Sequence, residues 1–200
     1  MNHYFNSNEN LNHKPRQTEY IHKSTRFEFV TDIGVFAKNG VDQATNILLC
    51  SLPELSGKVL DLGCGYGCAG IVAAKACGRG IDLTMSDVNG RALELAEANA
   101  KKNGVEARII KSDGFENIAG KFCAIITNPP IHAGKAVIWK MYAEAHGHLE
   151  PGGSFFAVVQ KKHGAPSHQK KLAEIFGEQN CRALHSKKGY YVFECRVAPE

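Results

Sequence analysis

From residue 58 onward the chain alternates short apolar runs with helix-forming stretches, and this alternation leaves few folds open. The runs are KVLDLG (58–63), IDLTMSD (81–87), ARIIKSD (107–113), FCAIITN (122–128) and SFFAVVQK (154–161). Between them lie a small-residue helix over 67–77, a helix over 90–103 closed by Gly104, and a helix over 134–149 stopped by Glu150-Pro151-Gly152-Gly153. Near-continuous Val, Ile and Leu in a strand signals burial on both faces, and a helix between successive strands forces a right-handed crossover. A parallel sheet covered by helices on both faces is expected. A short helix over 167–176 then precedes CRALHSKK (181–188) and YYVFECRV (190–197), which abut at Gly189 and read as an antiparallel hairpin. The expected fold is α/β and Rossmann-like, a seven-stranded, mostly parallel sheet closed by that hairpin.

Upstream, VDQATNILLCSL (41–52) places Val41, Ala44, Ile47, Leu48 and Leu52 on one side at helical spacing, and Pro53 forbids continuation. Residues 1–26 are polar, rich in Asn and His and without period, so they read as a flexible or loosely docked arm ahead of a domain over 27–200. The 200 residues, 44% of them hydrophobic, suit one domain, since chains divide mostly beyond about 250 residues. No run of 18 apolar residues and no signal-peptide stretch is present, so a cytoplasmic protein without membrane partners is expected. Seven cysteines, odd in number and scattered through apolar runs, read as reduced thiols; neither a disulfide framework nor a metal site is expected, and Cys64 and Cys68 have no second pair at finger spacing. Residues 151–200 hold eight Lys/Arg against four Asp/Glu, whereas residues 1–150 balance at sixteen each. That bias suits a polyanion, and a solvated surface explains it nearly as well.

Open α/β sheets bind ligands beyond the carboxyl ends of their strands at the switch point. The loop there is Asp61-Leu62-Gly63-Cys64-Gly65-Tyr66-Gly67. Glycines at alternate positions let the backbone turn sharply and let a ligand approach the main chain. A nicotinamide fingerprint needs glycine at position 68, which is Cys68. Asp61 can neutralise the ammonium of a methionine moiety, whereas it would repel a pyrophosphate, so the loop favours S-adenosyl-L-methionine (SAM). Asp87, followed by Val88, ends the next run where a carboxylate accepts from ribose hydroxyls. Asp113, with Gly114 and Phe115, can receive an adenine amino group beside an apolar face. Each acid has a plainer role as a helix cap or turn residue, but three at successive strand ends favour the cofactor.

The run ending at residue 128 leads into Asn128-Pro129-Pro130-Ile131. Two prolines fix two φ angles and remove two donors, so the loop presents carbonyls and the Asn amide in a rigid row. Such a row recognises a planar NH2 group. Accepting its hydrogens at Asn128 Oδ1 and the Pro129 carbonyl would draw a delocalised nitrogen toward sp3 geometry, with no strong base required. Holding nitrogen, methyl and sulfur in line then supplies much of the acceleration by positioning. A plain Asn-Pro-Pro turn is the alternative.

With these residues in view, the chain resembles the small-domain methyltransferases related to the bacterial small-subunit rRNA guanine-N2 enzymes, over roughly residues 27–197. The likeness rests on the Asp61–Gly67 loop, Asp87-Val88-Asn89, Ser112-Asp113-Gly114-Phe115 and Asn128-Pro129-Pro130-Ile131-His132-Ala133-Gly134-Lys135. Gly34-Val35-Phe36-Ala37-Lys38, the 158–161 stretch and Gly189-Tyr190 support it. The resemblance implies a class I SAM-binding sheet, SAM as cofactor, a guanine of 16S rRNA or the small ribosomal subunit as substrate, and Asn128 and Pro129 gripping the target amine. Phe36 is expected near cofactor and substrate, with Lys38, His132 and Lys135 as further substrate contacts. Lys161, Lys162, Lys170, Lys171, Lys187 and Lys188 are candidate phosphate contacts, Trp139 is expected to pack on the sheet, and the protein is expected as a monomer or homodimer. Two departures stand out: Ile131 replaces the aromatic residue that many members stack on a flipped base, so stacking falls to Phe36, and the extra N-terminal domain of the larger rRNA enzymes is not among these residues. Three other readings stay open: methylation of a protein glutamine amide, a non-enzymatic SAM- or RNA-binding module, and a nicotinamide oxidoreductase, which Cys68 disfavours.

Overall fold

A computed structural model describes residues 14–186 and 189–199. Its first element is a hairpin: β1 (Arg16–His22) pairs antiparallel with β2 (Thr25–Thr31). The connecting Lys23 and Ser24 both have positive φ, 45° and 68°, the handedness a two-residue hairpin loop needs to match strand twist. The flexible arm expected over residues 1–26 is therefore corrected from Arg16 on; residues 1–13 lie outside those described. Tyr20, Phe27 and Phe29 turn inward onto the first core, where His22 is also buried. Lys-Ser carries none of the Gly or Asn that marks such a turn in sequence.

The outer edge of β2 is closed by side chains. α3 (Gly90–Lys102) presents Asn99, and Asn103 caps its end one turn later. Asn99 Oδ1 accepts from Val30 N (2.7 Å), while its Nδ2 donates to the Val30 carbonyl (2.9 Å) and the Tyr66 carbonyl (2.9 Å). Asn103 Oδ1 accepts from Glu28 N (3.1 Å) and its Nδ2 donates to the Glu28 carbonyl (2.8 Å). Two amides at helical spacing thus stand in for a neighbouring strand, satisfying an edge that would otherwise stay open.

The main sheet has seven strands in the order β5-β4-β3-β6-β7-β9-β8. Its members are β3 (Leu55–Leu62), β4 (Gly78–Asp87), β5 (Ala107–Lys111), β6 (Phe122–Thr127), β7 (Leu149–Gln160), β8 (Cys181–His185) and β9 (Tyr190–Arg196). The first five are parallel, and β9 and β8 run antiparallel at the edge. The remaining helices are α1 (Gln43–Ser51), α2 (Cys68–Ala76), α4 (Lys135–Gly147) and α5 (Ala165–Phe176). Side chains alternate between two cores with the strand period of two: Phe156 and Val158 face α1, α2 and the hairpin, whereas Phe155, Ala157 and Val159 face α4 and α5. The chain steps from β5 back across β3 to β6, so the order reverses between β3 and β6. A crevice opens at such a reversal.

A further expectation changes. Cys181 and Cys195 stand opposite each other in the β8–β9 register and are joined as a disulfide, while Cys50, Cys64, Cys68, Cys77 and Cys123 are free. One cross-strand pair rather than a framework is present, and spacing in sequence gives no sign of it because only strand register brings the two together. Trp139 packs on the α4-side core, its ring against His168 of α5 with centroids 4.8 Å apart. Among the described residues no helix is long and apolar enough to cross a membrane.

The amide ladder can be tested by removal. Asn99→Ala strands the Val30 N–H, the Val30 carbonyl and the Tyr66 carbonyl, and is expected to destabilise the fold by about 3 kcal/mol, since each unsatisfied buried group costs about 1–3 kcal/mol. Urea unfolding followed by circular dichroism should show the lowered midpoint; an unchanged midpoint would mean that the hairpin docks by apolar contact alone.

Candidate functional site

The site is built at the carboxyl edge where β3 and β6 lie side by side, with Asp61 registered opposite Ile126. Thr127 Oγ1 donates to the Leu62 carbonyl (2.8 Å) and ties the two strand ends together. The glycine turn after β3 and the proline loop after β6 therefore leave the sheet as neighbours.

The turn is anchored to β4. Gly63 N and Cys64 N both donate to the Ser86 carbonyl, at 2.8 and 2.9 Å, and Gly65 N donates to Asp87 Oδ2 (2.8 Å). Gly63, Gly65 and Gly67 all sit at positive φ (72°, 56° and 88°), a region L side chains rarely occupy. A Cβ built on Gly63 or Gly65 meets nothing within 4 Å, whereas one on Gly67 comes within 3.1 Å of Ala96 and Ile71. The first two glycines thus face open space where a ligand can lie on the main chain, and the third lets α2 pack on α3. Cys64 is buried and its side chain points back into the protein, where burial pushes its thiol well above the ordinary range.

Asp61 lies beneath this turn and is 2% exposed. Its Oδ2 accepts from Gly70 N in the first turn of α2 (2.7 Å), where unpaired helix N–H groups favour a negative charge. Burial pushes its carboxyl up to about 7; the Gly70 bond opposes that rise and the neighbouring Asp87 charge adds to it. Asp87 is also raised by burial, against the backbone N–H groups of Asn89, Gly65 and Val88. A buried carboxylate with no cationic partner calls for a positive group, and the donor set fits a sulfonium nucleoside with an ammonium end. Asp61 would hold that ammonium and Asp87 the ribose hydroxyls.

The segment over 33–38 leans on the same edge. Asn89 Nδ2 donates to the Gly34 carbonyl (2.9 Å) and Arg91 to the Ile33 carbonyl (3.2 Å). Among the described residues, Phe36 (57% exposed) and Val88 (37%) are two of the three large apolar side chains open to solvent. Lys38 is exposed as well. The third acidic turn departs from expectation. Phe115 is buried in the core on the α4 side with its ring stacked on His148 (4.6 Å), so it offers no face to an adenine. Its spacing in a short turn puts it inward, and Asp113 is left exposed with its carbonyl accepting from Glu116 N (3.2 Å). Gly114 faces Glu144 of α4, 3.5 Å from a built Cβ.

In the proline loop, Pro129 is buried, Pro130 and Ile131 are half-buried, and Ile131 packs on the α4-side core. The Pro130 and Ile131 carbonyls close a single turn by accepting from Ala133 N (2.9 Å) and Gly134 N (3.4 Å), and the Pro129 carbonyl takes part in neither bond. His132 and Lys135 are exposed beyond it. Asn128 Nδ2 donates to Thr45 Oγ1 (3.2 Å) and Asp42 Oδ2 (3.4 Å) at the start of α1. Asp42 also caps that helix, accepting from Ala44 N and Thr45 N. Asp42 and Thr45 do not stand out in the sequence, where an Asp ahead of a helix signals a cap and nothing signals a contact across 86 residues.

The acid beneath the turn sets a pH dependence. Its folded pKa lies above the unfolded value of about 3.9, so protonation of Asp61 stabilises the cofactor-free fold, fully below about pH 4 and not at all once pH has risen through about 7. Ammonium binding needs the ionised form. SAM affinity is thus expected to rise by up to about tenfold per pH unit from about pH 5 to about pH 7 and then level off. Asp61→Asn should flatten the profile and weaken binding about thirtyfold, the worth of roughly 2 kcal/mol in a bond to a charged group. Isothermal titration across this range reads both, and a flat wild-type profile would contradict the assignment.

The chain is similar to known proteins in sequence and in fold. Residues 26–194 match the family model described as methyltransferase small domain. The chain is 38% identical over 199 residues to YbxB of Bacillus subtilis, covering 97% of this chain and 98% of that one. It is 36% identical over 163 residues to ribosomal RNA small subunit methyltransferase C of Shewanella amazonensis, covering 80% of this chain and 47% of the relative. Among solved structures, the T. thermophilus 16S rRNA N2 methyltransferase RsmC, in complex with AdoMet and guanosine, superposes with a TM-score of 0.80 at 25% identity, over 92% of this chain and 50% of that one. The chain spans about half the length of these methyltransferase C relatives. With the sheet, the glycine turn and the proline loop in place, the chain belongs to the methyltransferase small domain family, whose cofactor is SAM.

Proposed function

We propose that this protein methylates the exocyclic N2 amine of a guanine in small-subunit rRNA. The observation that carries the proposal is the orientation of Asn128. Its Nδ2 hydrogens are taken by Thr45 and Asp42, so Oδ1, the acceptor, is the atom left to face a substrate. An amine held there and at the Pro129 carbonyl would donate both hydrogens, leaving the nitrogen lone pair directed away from the loop.

When bound, SAM supplies an electrophilic methyl group on a positively charged sulfur. Asp61 and Asp87 would fix the two ends of the cofactor, and the bare main chain at Gly63 and Gly65 lets it lie close to the sheet edge. Phe36 and Val88 provide apolar surface beside it, and Phe36 is the ring available to stack on a base in place of the aromatic residue that Ile131 replaces. The proline loop contributes rigidity: fixed φ at Pro129 and Pro130 keeps the two acceptors in one spacing, so the acceleration comes from positioning. The methyltransferase C relatives, named for ribosomal RNA, and the solved one, which holds guanosine, favour a guanine substrate.

Mass spectrometry of rRNA nucleosides from a strain lacking the gene should show loss of one N2-methylguanosine from the small subunit. Wild type should restore it, and Asn128→Ala should lower kcat/KM by about a hundredfold or more, as for removal of one preorganised polar contact in an active site. Thr45→Val removes an acceptor without touching substrate and should lower kcat about tenfold with cofactor affinity unchanged, near 1.4 kcal/mol. Unchanged rRNA nucleosides together with loss of a methylated glutamine in a protein would overturn the proposal.

A further inference from the structure

The proline loop runs on into His132 and Lys135, and the neighbouring strand β7 runs on into a single turn over Lys161–His163. The two meet: the rings of His132 and His163 lie 6.2 Å apart. The second turn is held in place, with Lys161 N donating to the Gly189 carbonyl (2.8 Å) and Gly164 N to the Lys161 carbonyl (3.1 Å). Lys135, Lys161 and Lys162 are all exposed.

These cations lie on two segments of chain that carry no acid. Residues 117–143 and 151–173, which supply both sides of the ridge, contain no Asp or Glu. Several cations elsewhere on the surface are paired: Lys102 with Glu28, Lys140 with Glu144, Lys171 with Glu174, and Arg182 and Arg196 with Glu194. Among the described residues Lys135, Lys161 and Lys162 make no ion pair. A field left uncompensated at one place beside a site is the footprint of an anionic ligand. Its position limits the ligand further, because four residues of chain span at most about 14 Å, so His132 stays within that reach of Asn128. The phosphates nearest a target nucleotide lie at that range.

We propose that Lys135, Lys161, Lys162, His132 and His163 form a phosphate-binding ridge that grips the RNA backbone next to the target nucleotide and so feeds the base to Asn128. The inference rests on the rRNA reading above and adds the contact that distinguishes an RNA chain from a free nucleoside. Phosphate contacts position a substrate without reading its sequence, and each one adds to the salt dependence of binding. Lys162 and His132 already depress the His163 imidazole, after burial, which shows that the positive groups act on one another at this spot.

The test compares Lys161→Ala/Lys162→Ala with Lys170→Ala/Lys171→Ala, a lysine pair from α5 in the same basic quarter of the chain. Methylation of small subunits purified from a strain lacking the gene is measured over a range of salt, with SAM affinity measured alongside. The ridge variant is expected to raise KM for the subunit at least tenfold, to reduce the slope of log affinity against log salt by about two, one for each phosphate no longer neutralised, and to leave SAM affinity unchanged. The α5 variant should change KM less than twofold. Equal effects from both variants, or none from the ridge variant, would overturn the ridge while the rRNA reading stands. Wild-type protein that leaves rRNA unlabelled at every salt concentration, or that labels a subunit protein instead, would overturn both.

Discussion

A carboxylate is buried at the end of the central strand, and the surrounding edge is arranged around it. Asp61 can be there only because α2 approaches closely enough to give it an N–H, and that approach requires Gly70, where a Cβ would sit 3.0 Å from Asp61 Oδ2 and 3.1 Å from Met85 Sδ. The bond draws the first turn of α2 against β3, which forces the intervening chain into the positive-φ turn of Gly63, Gly65 and Gly67. That turn is in turn fixed by Asp87 and the Ser86 carbonyl from β4. The glycine turn is therefore held by strand ends on both sides. The carboxylate, raised by its burial, is the energetic debt that a cationic ligand would relieve.

The candidate site follows from the adjacency of β3 and β6. Parallel neighbours in a sheet end together, so the glycine turn on one and the proline loop on the other open at one crevice. α1 completes it from above. Asp42 both caps that helix and accepts from Asn128 Nδ2, so one side chain links local helix capping to the proline loop. The hairpin reaches the same region through Asn99, which joins Val30 and the Tyr66 carbonyl of the glycine turn.

The strand and helix alternation is legible in the sequence because period and punctuation largely agree: Pro53 and Gly104 fall just past helix ends in the structure, whereas residues 150–153, expected only as a helix stop, already belong to β7. The glycine turn and the proline loop are legible because backbone chemistry, not packing, dictates their residue types. The hairpin over 16–31 is not, since its strands are mostly polar outside and its turn is Lys-Ser. Phe115 defeats the expectation because sequence locates a turn without saying which way its side chains point, and here the ring turns onto His148. Asp42, Thr45 and the Cys181–Cys195 pair are hidden for a common reason: each acts through a partner brought near by tertiary structure alone.

The central claim is that the glycine turn and Asn128 serve one pocket. A crystal structure of the protein with SAM and guanosine tests it most directly. The account predicts density for the cofactor lying along Gly63 and Gly65 with its ammonium against Asp61, and the guanosine amine within hydrogen-bond distance of Asn128 Oδ1 and the Pro129 carbonyl. Density for the nucleoside away from Asn128, or for the cofactor away from the turn, would contradict it.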